Sequence, residues 1–181
     1  MKYIIFLVLM VAGLMMSCKD AQKQKYQDEI SSMEKDLDSM EQLAEQNRID
    51  TLPKLINRIK NKTLEVQQNY YTDTIDYEVA DMMNDFKQAR KGLSSNSGNL
   101  AKVRNSIPEV KQKLSDLSFD IDHGVGDRSR YQEYIDYEKE KVLQIEEILT
   151  YYLDNKKKYL KLYNEAAPKV DAFIKELKSE K

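Results

Sequence analysis

The sequence feature that most constrains the fold is a stripe of mainly apolar residues near the C-terminus, spaced alternately by four and three. This spacing places side chains on one face of an α-helix, whereas the side chains of a strand alternate with a period of two. The stripe predicts one long helix from Asp127 to about Ser179, bent near Asn164 rather than broken by Pro168. Its members are Tyr131, Ile135, Glu138, Val142, Ile145, Leu149, Tyr152, Lys156, Tyr159, Tyr163, Ala166, Val170, Phe173 and Leu177.

The same spacing recurs in earlier segments, at 26–47, 52–70, 75–93 and 100–121. The composition agrees with this pattern, because 33% charged residues, five glycines, three prolines and no tryptophan are typical of long solvated helices. We therefore expect an all-α fold, an elongated antiparallel helical bundle with coiled-coil-like packing and one long C-terminal helix.

Breaks in the spacing suggest where the helices begin and end. Thr51 and Pro53 are suited to the cap and first turn of a helix. At 71–74 the spacing slips to five, which indicates either a new helix capped by Thr72, Asp73 or Thr74 or a local change of winding in one long helix.

A second group of turn residues lies near the middle of the chain. Residues 92–99 are rich in Gly, Ser and Asn, which predicts a loop and a seam between two halves. Ser106, with Pro two positions later and Glu three positions later, predicts a helix start. Gly124 is suited to a left-handed helix end, and Asp127 or Ser129 to the next cap.

The N-terminus has a different pattern. Lys2 precedes an unbroken apolar run over residues 3–16, and Ser17 places a small residue before Cys18. Fourteen apolar residues are fewer than the roughly 20 that a membrane-spanning helix requires. A short positive start, an apolar run and a small residue at its end are typical of a cleaved signal peptide.

These residues resemble a bacterial lipoprotein signal peptide. The resemblance implies that 1–17 are removed and that Cys18 receives lipid and becomes the first residue of the mature protein. Lys19 stands where inner-membrane retention would favour Asp, so the resemblance implies the outer membrane, with the domain either periplasmic or surface-exposed. Residues 18–25 are then the lipidated cysteine and a flexible tether, and 26–181 the helical domain.

Several functional classes are not expected from the sequence. Without Lys2 the chain has 28 basic and 31 acidic residues, so no general basic field favours nucleic acid. No nucleophile motif, phosphate-binding loop or second histidine is present, and we expect neither an enzyme nor a cofactor. His123 lies among Asp120, Asp122 and Asp127, but their spacing does not match a calcium loop, and helix-end capping explains them without a metal.

Tyrosine and lysine residues suggest a surface for partners. Seven of the twelve tyrosines lie between Tyr131 and Tyr163. Tyrosines that bury their rings at the rim of the bundle, together with lysines on a solvated helix face, would explain this pattern. A contact surface for a partner would explain it too. We therefore predict a partner surface on the long helix, formed by Tyr151, Lys156, Lys157 and Lys158.

The expected function is that of a non-enzymatic interaction or structural component of the cell envelope. The membrane would be contacted through the lipid anchor, and the partner would be an envelope protein or the cell wall. An alternative is a bundle that binds a small ligand or a cell-wall polymer through its Tyr- and Lys-rich surface, in a pocket near Tyr152 and Tyr159.

Overall fold

The computed structural model describes the backbone of residues 2–179 and the side chains of residues 21–179. Over these residues the chain forms four α-helices and no strand, which confirms the all-α prediction. The helices are α1 (Lys2–Gln46), α2 (Leu52–Asn69), α3 (Tyr77–His123) and α4 (Tyr131–Ser179), and a short 3₁₀ turn at Arg128–Arg130 precedes α4. The predicted long C-terminal helix is confirmed, because α4 has 49 residues and continues through Pro168.

The chain divides into two compact units. Unit 1 comprises Met1–Gln42 and Asn105–Glu146, and unit 2 comprises Leu43–Arg104 and Glu147–Lys181. Unit 1 contains segments of α1, α3 and α4, whereas unit 2 contains α2, the end of α1 from Leu43, and segments of α3 and α4. Among the described residues, no helix has a stretch long and apolar enough to cross a lipid bilayer.

Helix α3 runs antiparallel to its neighbours in both units. In unit 1, α1 and α3 are joined by the ion pairs Lys23–Asp122 and Asp38–Lys111, so the residue numbers rise along one helix as they fall along the other. In unit 2 the hydrogen bond from Asn96 to the Tyr152 carbonyl and the stacking of Phe86 on Tyr163 give the same relation between α3 and α4.

The core of unit 1 is built from the predicted stripes. Five of the six stripe residues of α1 lie in unit 1 and all five are buried, and the rings of Tyr26 and Tyr131 meet edge to face with centres 6.3 Å apart. The turn into α4 also follows the sequence prediction, since Gly124 has φ +63° and the Asp127 carboxylate accepts a hydrogen bond from the Ser129 backbone N–H. The five are Tyr26, Ile30, Met33, Leu37 and Met40, and the sixth, Ala44, is also buried but belongs to unit 2.

The core of unit 2 joins α2, α3 and α4. Its buried cluster comprises Ile59, Val66, Met83, Phe86, Ala166, Ala167, Val170 and Ile174. At its edge, the rings of Tyr70 and Phe173 meet edge to face, with centres 5.1 Å apart and planes inclined by 72°. Burial of these side chains is the main force holding the three helices together, because apolar surface removed from water stabilises the fold by roughly 25 cal/mol per Å².

The helical structure is interrupted where the spacing slips to five. Helix α2 ends at Asn69, residues 70–76 are not helical, and α3 begins at Tyr77. The cap is none of the predicted residues 72–74 but Asp76, whose carboxylate accepts hydrogen bonds from the backbone N–H groups of Glu78 and Val79. Thr51 occupies the cap position of α2, as predicted, but its side chain makes no cap hydrogen bond.

The predicted loop at 92–99 is wrong, because α3 continues through it. Its turn residues are used for packing instead. Leu93 and Asn96 are buried, and a Cβ atom on Gly92 would overlap the ring of Tyr159. The predicted helix start at Ser106 is also wrong, since the same helix contains Pro108 in its interior.

Residues at the N-terminal end of the domain also differ from the prediction. Residues 21–25, assigned to a flexible tether, continue α1. Their side chains have local and tertiary partners: Gln22 donates to the Tyr26 hydroxyl and Lys23 pairs with Asp122 at 2.9 Å. The predicted signal peptide at 1–17 and the lipidation site at Cys18 lie outside the residues whose side chains are described.

Candidate functional site

Three of the four residues of the predicted partner surface are exposed on α4. Tyr151 has 62% of its surface accessible, and Lys157 and Lys158 are also exposed. The Lys158 ammonium lies 5.3 Å from the centre of the Tyr159 ring, a distance that permits a weak cation–π contact. Tyr151, Lys157 and Lys158 are therefore accessible to a partner.

The fourth residue, Lys156, does not belong to this surface. Its Nζ donates hydrogen bonds to the backbone carbonyl of Asn47 at 2.8 Å and to the Asn47 side-chain oxygen at 3.1 Å. Partial burial lowers the pKa of Lys156 below its usual value. The prediction is corrected because Lys156 is a member of the four-three stripe, which faces the neighbouring helices, whereas Tyr151, Lys157 and Lys158 lie off it.

Lys156 belongs to a polar network inside unit 2. The Tyr152 hydroxyl also donates to the Asn47 carbonyl, at 2.8 Å, and buried Asn96 donates to the Tyr152 carbonyl at 2.8 Å. Burial raises the pKa of Tyr152, so its hydroxyl stays protonated and keeps donating. A cation and a hydroxyl at the C-terminal end of α1 satisfy a carbonyl that lacks a helical partner. The network stabilises a helix end, and sequence reasoning missed Asn47 and Asn96.

The connection between α2 and α3 leaves large apolar side chains uncovered. Tyr71 is 85% exposed, Ile75 71% and Tyr77 75%. We call residues 70–77 the α2–α3 tip. No Lys or Arg occurs between Lys62 and Lys87, but six acidic residues do: Glu65, Asp73, Asp76, Glu78, Asp81 and Asp85. The tip is therefore an aromatic surface within an acidic stretch of the sequence, in which Glu65 is paired with Lys178 of α4.

A basic groove lies between α2 and α3 in unit 2, with a volume of about 650 Å³. Helix α3 contributes three cations to it, Lys87, Arg90 and Lys91, and α2 contributes Ile56. Asn84, Gln88, Ser94 and Ser95 complete the lining. We call this the α2/α3 groove. Its cations form no ion pair with any of the described residues.

A second open groove, of about 380 Å³, lies between α1 and α4 in unit 1. Its apolar residues are mostly buried already, and Leu143, 50% exposed, is the one that a partner would cover further. Neither groove is lined by Tyr152 or Tyr159, where the sequence placed a small-ligand pocket. The apolar lining residues are Met33, Met40, Ile135, Val142 and Leu143.

The residues around His123 have structural partners. The ring of His123 stacks on Phe119 with centres 4.0 Å apart, and its Nδ1 lies 2.9 Å from the Phe119 carbonyl. The Lys23 ammonium lowers the pKa of the Asp122 carboxyl, and the Ser129 hydroxyl and backbone N–H lower that of Asp127. Within residues 21–179, no group of three or more His, Cys, Asp or Glu side chains is arranged to hold a metal ion.

No protein-family model, curated protein or solved structure matches this chain. A functional assignment therefore rests on the sequence and on the surfaces described above. Two of them have a definite chemistry, the aromatic and acidic α2–α3 tip and the basic α2/α3 groove.

Proposed function

We propose that the protein is a lipid-anchored component of the bacterial outer membrane that acts by binding a protein partner and not by catalysis. The anchor rests on the N-terminal sequence, where Lys2, an apolar run and Ser17 lead to Cys18. Several acyl chains on one cysteine attach a protein stably to a membrane, whereas a single chain does so only reversibly.

The observation that carries the binding role is the exposure of Tyr71, Ile75 and Tyr77. An aromatic side chain presents about 150–250 Å², so Tyr71 and Tyr77 expose on the order of 300 Å² between them, and Ile75 adds to this area. Patches of roughly 300–600 Å² on folded proteins often serve an interaction. Tyrosines contribute strongly to interfaces, because they bury a large area while losing few rotatable bonds.

The charges around the tip favour one kind of partner. Asp73, Asp76 and Glu78 are exposed beside the apolar side chains. They repel an anionic membrane surface and attract a protein surface that carries Lys or Arg. The proposed partner is therefore an envelope protein with basic residues around an apolar pocket that receives the tyrosines.

Photo-cross-linking in cells tests this role. A benzoylphenylalanine in place of Tyr71 in the full-length protein should form an adduct with one envelope protein, attached within a basic segment of that protein. The matched control places the same group at Tyr137, which is 57% exposed and lies in unit 1. Asp73→Lys with Glu78→Lys should reduce the adduct from Tyr71. Equal adducts from both positions, or a yield that charge reversal leaves unchanged, would contradict the proposal.

The anchor has its own test. Cys18→Ala should abolish labelling of the protein with radioactive palmitate and leave the precursor unprocessed, because the thiol is the acceptor of lipid. Ser17→Ala is the control, since it keeps a small residue before the cysteine. A Cys18→Ala protein that is processed and retained in the membrane fraction as before would show that the lipoprotein assignment is wrong.

The exposed α4 residues remain a second proposed partner surface. Tyr151→Ser with Lys157→Glu should reduce co-purification of the cross-linked protein without changing helix content, because exposed substitutions usually change stability by under about 0.5 kcal/mol. An unchanged yield would exclude Tyr151 and Lys157 from partner binding and leave the tip as the one proposed partner surface.

A further inference from the structure

Three cations lie within five residues of α3 and line one groove. Lys87 and Lys91 are one helical turn apart, and Arg90 lies between them in sequence. Like charges at this spacing repel each other and destabilise a helix. Some cations elsewhere in unit 2 are paired with carboxylates, as Lys62 is with Asp171 and Arg104 with Glu45. Among the described residues, the groove cations have no such partner.

The rest of the lining suits an anion with several oxygen atoms. Asn84 and Gln88 offer amide N–H donors, Ser94 and Ser95 offer hydroxyl donors, and Ile56 is the sole apolar lining residue. A guanidinium group matches two oxygens of a phosphate at once, and an ammonium group acts on phosphate as a point charge. Side chains one turn apart have Cβ atoms about 5–6 Å apart, which allows Lys87 and Lys91 to reach the same group.

We infer that the α2/α3 groove binds a phosphate group through Lys87, Arg90 and Lys91. The phosphate belongs either to the headgroup of an anionic lipid or to a soluble phosphorylated compound, since both present the same charged oxygens. The inference is independent of the partner proposed for the α2–α3 tip, because the tip is acidic and the groove is basic.

Lysine footprinting on the full-length protein tests the inference within one molecule. An amine-acylating reagent modifies accessible lysines, and mass spectrometry measures the rate at each position. Lys157 and Lys158 are the internal control, because they are exposed, adjacent and in the same unit. The protein is compared in neutral detergent micelles, in the same micelles with tripolyphosphate, in neutral nanodiscs and in nanodiscs that contain an anionic phospholipid.

Bound phosphate should slow acylation of Lys87 and Lys91 severalfold and leave Lys157 and Lys158 unchanged. Protection by tripolyphosphate in micelles would identify a soluble compound as the source, and protection confined to anionic nanodiscs would identify a lipid headgroup. Both results support phosphate binding in the α2/α3 groove. Equal protection at Lys157 and Lys158 would show a general charge effect and overturn the inference, as would no protection at Lys87 and Lys91 in any condition.

A pair of charge-reversal variants provides a second measurement. Lys87→Glu with Lys91→Glu changes the net charge by the same amount as Lys157→Glu with Lys158→Glu. Only the first pair should abolish the tripolyphosphate-induced shifts of backbone amide NMR signals in residues 84–95. Equal loss with both pairs would overturn the inference. If the first pair prevents folding, Lys87→Gln with Lys91→Gln replaces it, because neutral amides relieve the local repulsion.

Discussion

Replacing Gly92 with Ala tests the packing of α3 against α4. In a flexible loop this change would have little effect on the folded state. Gly92 instead lies inside α3, where a Cβ atom would overlap the ring of Tyr159 on α4. The substitution therefore combines a gain in helix propensity, which stabilises the fold, with a steric overlap between α3 and α4, which destabilises it.

Gly98→Ala separates the two effects. Gly98 lies in the same helix, and an added Cβ atom would meet nothing within 4 Å. Ala is more favourable than Gly in a helix interior by about 0.8–1.0 kcal/mol, so Gly98→Ala should raise the free energy of unfolding by about that amount. Overlap in a packed region usually costs about 1–3 kcal/mol. Gly92→Ala should therefore range from neutral to about 2 kcal/mol destabilising.

The difference between the two variants isolates the overlap, because the helix-propensity gain is common to both. Urea denaturation followed by circular dichroism at 222 nm should give Gly92→Ala a free energy of unfolding about 1–3 kcal/mol below that of Gly98→Ala. The lower end applies if the Tyr159 ring, which is half-buried, swings aside. Equal stabilisation by both substitutions would refute the contact with Tyr159. No gain from Gly98→Ala would refute the continuous helix through 92–99.

Three further predictions concern single side chains. Burial raises the pKa of Glu138. Protonated Glu138 therefore stabilises the fold at low pH, and this contribution is lost as the pH rises through the pKa of the folded state. Glu138→Gln should raise the Tm more at about pH 7 than at about pH 4, because only at the higher pH does it remove a buried charge. Tyr131→Phe removes a hydroxyl whose one proton is shared between the carbonyls of Val125 and Asp120, and it should cost about 1–2 kcal/mol in urea denaturation. Neither a chelator nor His123→Ala should change helix content, or the Tm by more than about a degree, whereas loss of a structural metal would lower both.

Local sequence determined the helices themselves. The four-three spacing of apolar residues depends only on the geometry of a helix, and it predicted buried positions such as Leu37, Val103 and Leu114. The turn before α4 was equally local, because Gly124 adopts a left-handed conformation that other residues avoid. These features require no knowledge of the neighbouring helices, which is why they could be predicted from the sequence.

The candidate surfaces were predicted less completely. Exposure of Tyr151, Lys157 and Lys158 followed from their positions off the apolar stripe. The exposed α2–α3 tip was not predicted, because the slip in spacing was compatible with a continuous helix as well as a break. The α2/α3 groove was not predicted either, since it exists only where Ile56 of α2 lies beside the cations of α3.

The tertiary structure alone determined the packing role of the residues whose sequence pattern was ambiguous. Residues 92–99 have the composition of a loop, but the ring of Tyr159 requires a position without a Cβ atom, and Asn96 finds an acceptor in the Tyr152 carbonyl. Lys156 lies inward because the Asn47 carbonyl, at the end of α1, has no helical partner and accepts a hydrogen bond from the Lys156 ammonium group. A helical period is a property of one segment, whereas these roles depend on which groups a second helix brings within hydrogen-bonding or van der Waals distance.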